Sequence, residues 1–259
     1  MIFISTDAEK FFIFEKKPPM KANLLLVVAF LIAVPSFVQA QLPAYPAKSR
    51  EAVVKFMDDL RVQQESLSNQ ISEFSKENDK VGENIDPSKI TASYGMTQDV
   101  NALMERQQRV MDNQARNKEL TKKALEFDAS YQAILDSLNM DMEAFTPVYT
   151  DYVNHCIGIE NNSCSGYENK KNQMGDDILT KYFFGNSAKF PGWLSAFIAT
   201  IPTQSKEVMI ELMSIQEESL GVTFPHKADL ATLMEQKAII DAILKVYGEI
   251  DMKLFPGFN

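Results

Sequence analysis

Residues 49–78 read SREAVVKFMDDLRVQQESLSNQISEFSKEN, with apolar side chains at Val53, Met57, Leu60, Leu67, Ile71 and Phe74 and with Gln64 in the remaining slot. Steps that alternate between four and three place all seven on one stripe of a helix. Such a stripe is the heptad seam of a helix packed lengthwise on a partner. Asp86-Pro87-Ser88 and Gly95 then mark a loop.

A second seam lies downstream at Leu120, Ala124, Phe127, Tyr131, Ile134 and Leu138. It predicts a long helix that starts near Thr97, a residue type suited to an N-cap, and continues to about Leu138. Its middle, Glu105 to Lys118, is polar apart from Val110, Met111 and Ala115. That stretch either projects into solvent or meets a polar surface. Two seams in sequence predict an antiparallel helical hairpin over residues 41–140, partly coiled-coil in character.

Residues 141–259 read as a smaller helical bundle. Asp141 and Thr146-Pro147 resemble the starts of short helices, with Pro in the tolerated first turn. Ser165-Gly166-Tyr167-Glu168 has the capping-box pattern, and Gly185 ends the helix that follows. Further helices are expected from about Thr203 to Leu220 and from Pro225 to Ile250. In the last, Leu230, Leu233, Met234, Ala238, Ile240, Ile243, Leu244 and Tyr247 make an apolar face wider than a coiled-coil seam. Only 10 glycines and little β-branched alternation point away from a β-sandwich, so the fold class is all-α.

The N-terminal forty residues carry a different signal. Met20-Lys21, the apolar run from Leu24 to Val34, and Val38-Gln39-Ala40 are the three parts of a secretory signal peptide. Cleavage is expected after Ala40, leaving Gln41 first. The apolar run falls short of the roughly 20 residues a membrane span needs, so no stable anchor is expected after cleavage. Residues 1–19 fit no signal design, which makes Met20 the better start. The protein is read as extracytoplasmic, either periplasmic or secreted.

The chain carries a formal charge of −9. Residues 1–40 hold four Lys against Asp7, Glu9 and Glu15, which leaves −10 on the remainder. An acidic chain without a basic run has no cations to displace phosphate counterions, and nucleic acid is excluded as a partner.

Cys156 and Cys164 are the only cysteines. In an exported chain an even count predicts one disulfide, here stapling the end of one helix to the start of the next. A metal site through His155, Cys156 and Cys164 lacks a fourth ligand, and the spacing is not that of zinc. A redox pair lacks the C-x-x-C spacing.

Motifs of catalysis are missing: no nucleophile elbow, zinc-binding helix, phosphate-cradling loop or EF-hand. The adjacent acids Asp58-Asp59, Asp176-Asp177 and Glu217-Glu218 point in different directions on a helix and read as solvated charge. No catalytic, cofactor-binding or metal-ligating residue is expected. Asn161-Asn162-Ser163 is a glycosylation sequon, and Asp136-Ser137-Leu138 resembles a short O-glycan acceptor pattern of exported bacterial proteins. The aromatic set Tyr182, Phe183, Phe190, Trp193 and Phe197 has two readings. Such side chains usually fill an interior, but they also build ligand or partner patches.

Three functions follow as expectations. The first is a non-catalytic protein that binds another protein, or itself, in an assembly. The second is a small-ligand-binding or enzymatic bundle with a pocket lined by Tyr182, Trp193, Phe197 and Asp177. The third is a holdase-like chaperone with its apolar face on the hairpin.

Overall fold

The computed structural model describes residues 50–83, 85, 100–157 and 164–253, and these belong to one compact unit within residues 46–259. The signal peptide, the cut after Ala40 and the sequon Asn161-Asn162-Ser163 lie outside the described residues. The described chain is all-α. It consists of α1 (Arg50–Glu83), α2 (Val100–Cys156), α3 (Ser165–Leu179), a π turn (Thr180–Phe184), α4 (Lys189–Leu220) and α5 (Lys227–Lys253). Among the described residues no helix is long and apolar enough to cross a membrane.

The seam of α1 is where the heptad spacing places it, with Val53, Met57 and Leu60 buried. Its partner differs from the expected one. α1 packs on α5, and α2 packs on α4 and α3. Phe56 meets Tyr247, Gln64 Nε2 donates to Asp241 Oδ1 at 2.5 Å, and Glu77 meets His226, so α1 and α5 run antiparallel. The physical reason lies in the counterfaces. The Glu105–Lys118 stretch of α2 offers little apolar surface, whereas α5 is apolar along its length, with Leu230, Ile240, Ile243 and Tyr247 buried.

The hairpin therefore forms one helix later. Arg109 pairs with Glu211, Asn113 with Val208, Trp193 with Phe127, Phe190 with Tyr131, Tyr182 with Ser137 and Tyr167 with His155. One residue number falls as the other rises, over nearly the whole of α2. So α3, the π turn and α4 together run antiparallel to α2. α5 folds back on α4 through Lys206–Glu235 and Glu217–Lys227.

Four helices, α1, α2, α4 and α5, make the body. The end of α2 from Ser137 to Cys156 packs on α3 as a two-helix arm, about 28 Å long at 1.5 Å per residue.

The helix starts read at Asp141 and Pro147 are interior positions of α2, which is 57 residues long. The boundary expected at residue 140 falls within it. Pro147 cannot donate to the Glu143 carbonyl, but both residues are exposed and water can satisfy that group. Pro202 lies similarly inside α4, buried. It leaves the Ile198 carbonyl without its helical donor, and Thr203 Oγ1 approaches that oxygen at 3.5 Å.

α3 begins at Ser165 after Cys164, and no side-chain capping bond forms, so the capping box is not made. The helix widens into the π turn, which Gly185 closes by donating its N–H to Thr180 O at 2.9 Å. A Cβ at Gly185 would sit 2.5 Å from that same oxygen, so only Gly fits. The turn from α4 to α5 uses Gly221 at φ 63°. Glu217 ties it by accepting from Phe224 N–H at 2.7 Å and from Lys227 Nζ.

Candidate functional site

α2 has two faces. Its inner stripe, Arg109, Asn113, Leu120, Phe127, Tyr131, Leu138 and Phe145, recurs every four or seven residues and meets α3, the π turn and α4. The polar middle of this stripe meets a polar surface. Arg109 Nε donates to Glu211 Oε1 at 2.7 Å, and its Nη1 donates to Glu218 Oε1 at 2.7 Å. These hydrogen bonds, to Glu211 first and then to Glu218, raise the Arg109 pKa above its ordinary value. Asn113 is 6 % exposed and donates to Val208 O at 3.1 Å. Ion pairs this open to water contribute about 0–1 kcal/mol each, so they set register more than stability.

Further along, the inner stripe meets the aromatic set. None of Tyr182, Phe183, Phe190, Trp193 and Phe197 is more than 9 % exposed. Trp193 Nε1 donates to Phe127 O at 2.9 Å and its ring stacks on Phe197 at 5.1 Å. Phe190 lies between Tyr131 at 5.5 Å, Tyr182 at 6.3 Å and Phe183 at 5.0 Å. Of the two readings of this set, interior packing is the one its burial matches. Asp177, the acid proposed for its pocket, is exposed on α3. The cause is the antiparallel register, which brings the aromatic side of α2 against the aromatic start of α4.

The hydroxyl of Tyr182 anchors a polar chain at the edge of this core. Lys189 Nζ donates to Ser137 Oγ at 3.0 Å, and Ser137 Oγ lies 2.8 Å from the Tyr182 hydroxyl. Tyr182 donates in turn to Asp141 Oδ2 at 2.8 Å, and Lys181 Nζ reaches the same oxygen at 2.6 Å. Since a charged carboxylate only accepts, the hydroxyls run one way, from Ser137 to Tyr182 to Asp141.

Partial burial alone would raise the Asp141 pKa, but the hydrogen bonds from Lys181 and Tyr182 outweigh it and hold it below the usual carboxylate range. The bond to Asp141 raises the Lys181 pKa, and burial raises that of Tyr182. At neutral pH neither Lys181 nor Tyr182 can act as a base. The chain ties α2 to the π turn and α4 structurally. It also engages the Ser137 hydroxyl of Asp136-Ser137-Leu138.

The adjacent acids diverge as helix geometry requires. Glu217 turns to Lys227 on α5 and Glu218 to Arg109 on α2. No bond joins Cys156 and Cys164, so the disulfide expected from the sequence finds no support here. His226 stacks on Phe74 at 4.2 Å and its Nε2 lies 2.6 Å from Glu77 Oε2, a contact between α1 and the turn that leads into α5 that the sequence reading missed. Among the described residues no group of three or more His, Cys, Asp or Glu side chains could hold a metal.

The outer face of α2 is the second feature missed. Val100, Met104, Met111, Leu125 and Met140 lie opposite the inner stripe and are between 49 % and 71 % exposed. Single exposed apolar residues are ordinary on any surface. Five on one side of a single helix form a sparse outward seam. Its spacing of 4, 7, 14 and 15 residues could have been found by searching α2 for a second periodic face.

Comparison with protein-family models, with curated proteins and with solved structures returned no match.

Proposed function

We propose that this is an exported, non-catalytic helical module that docks another protein along the outer face of α2. The observation that carries the reading is the outward line Val100, Met104, Met111, Leu125 and Met140, exposed on a helix whose opposite side is occupied by its own chain. Three of the five are Met, an unbranched and polarisable side chain suited to adaptable contacts. A partner helix laid along α2 would meet apolar anchors separated by polar positions. Export is supported by Met20-Lys21, the Leu24–Val34 run and Ala40, and it places the protein in the periplasm or outside the cell.

The small-ligand reading loses its support, because the side chains meant to line its pocket pack against one another. A holdase would use the same outward seam, but without preference among unfolded chains.

The test is the combined variant Met104→Glu/Met111→Glu/Leu125→Glu in the chain 41–259. Exposed positions away from core and caps change stability by roughly ±0.5 kcal/mol each, so the melting temperature is expected to hold. Co-purification of a stoichiometric partner from the native extracytoplasmic extract is expected to fall at least tenfold. Unchanged recovery of that partner by the folded variant refutes docking on this face. Equal recovery of many unrelated unfolded chains identifies a holdase.

A further inference from the structure

We propose that Cys156 and Cys164 form a reversible dithiol–disulfide site at the tip of the α2–α3 arm. The site is independent of the docking face, and its chemistry is exchange with an external disulfide, of small-molecule or protein origin. Cys156 is the last residue of α2, and Cys164 directly precedes α3. Their thiols are close enough to influence each other electrostatically. Cys164 Sγ also lies 3.1 Å from His155 O, and Cys156 Sγ lies 3.7 Å from Cys164 O. Both sulfurs are therefore beside one another in the reduced state, with backbone acceptors that a disulfide would give up.

The helix ends beneath them are held together. The His155 and Tyr167 rings stack at 4.5 Å with 8° between their planes, and His155 Nδ1 lies 2.7 Å from Asp151 O. One turn further in, Lys171 is buried with its ammonium 4.3 Å from the centre of the Tyr152 ring. Fixing both cysteines in this way raises the effective concentration of one sulfur at the other, which favours the intramolecular bond over a lasting mixed disulfide.

The exchange balances in two steps. The Cys164 thiolate attacks one sulfur of oxidised glutathione, forming a mixed disulfide and releasing one glutathione thiolate. Cys156 then loses its proton and attacks the Cys164 sulfur, forming the protein disulfide and releasing the second. Two cysteine thiols are oxidised, one glutathione disulfide is reduced to two thiols, and the two protons pass to the released thiolates. Burial first, and then the neighbouring Cys164 thiol, push the Cys156 thiol up to about 11, so the second step is the slower one and accelerates as pH rises.

The experiment equilibrates the chain 41–259 with graded ratios of reduced and oxidised glutathione, quenches in acid, alkylates, and reads intact mass and peptide maps. The expected result is one reversible transition from two alkylated cysteines to none. The oxidised form is lighter by two hydrogens and joins the peptides of Cys156 and Cys164. Cys156→Ser, with circular dichroism unchanged, is expected to keep glutathione on Cys164. Free thiols at excess oxidised glutathione, glutathione held on both cysteines of the wild-type chain, or disulfide-linked dimers overturn the proposal. A bond that resists every reducing ratio overturns its reversibility.

Discussion

Phe190→Ala is expected to cost about 3–5 kcal/mol of stability, the range for truncating a fully buried Phe without local collapse. The site has little room to relax. Phe190 is fully buried, and its neighbours Tyr131, Tyr182 and Phe183 come from α2 and from the π turn. Tyr131 is held by α5 as well, with Lys245 Nζ 4.0 Å from its ring centre. Tyr182 is tied to Asp141 and Ser137. A void left by Phe190 would therefore persist. For a domain of this size each kcal/mol shifts the melting temperature by roughly 2–4 °C, so thermal denaturation is expected to show a fall of about 6–20 °C. A change within error would mean that these rings do not form the interior described.

Tyr247→Ala is expected to be nearly as costly, at about 3–5 kcal/mol, but with a local signature. Tyr247 is buried on α5 and meets the Phe56 ring edge-on at 5.3 Å. It lies where α5 receives the start of α1, near the buried Val53 and Met57. Loss of this ring removes an anchor of the N-terminal half of α1, while the Gln64–Asp241 and Glu77–His226 contacts remain. Hydrogen exchange is expected to accelerate over Val53–Leu60 and to stay unchanged in the arm, around Phe145 and Ile178. Equal acceleration in both places would show that α1 does not depend on α5 for its attachment.

What the sequence revealed, and what it concealed, follows from how far each signal reaches. A heptad stripe states which side of a helix is buried, and Val53, Met57 and Leu60 are buried accordingly. It does not state against what. The polar patch Glu105–Lys118 was the available clue, because charged residues on an inner stripe need charges opposite, and Glu211 and Glu218 are those charges. Local punctuation misled at Asp141 and Pro147, since Asp141 is used inside α2 to bind Lys181 and Tyr182 and Pro147 sits on an exposed turn where water can take the freed carbonyl. Pro202 was survivable for a different reason, since Thr203 reaches the carbonyl it orphans.

The aromatic segment near Trp193 was legible as apolar, with the interior the more usual place for it, but not with its counterface. Burial depended on a counterface on α2 more than fifty residues away in sequence. The cysteine pair was legible as neighbours, because only seven residues separate the two helix ends that carry them. The outer seam of α2 escaped notice because its anchors lie up to 15 residues apart, too sparse for a pattern search tuned to cores.

The most direct measurement of the two-faced helix is site-specific photo-crosslinking in the native host, with a photoreactive phenylalanine analogue placed singly along α2. Outward positions Met104, Met111 and Leu125 are expected to give adducts to one other polypeptide. Inward positions Asn113 and Leu120 are expected to give only intramolecular products within the α2–α4 pair. Intermolecular adducts from the inward positions, or none from the outward ones, would contradict both the packing of α2 on α4 and the docking role of its outer face.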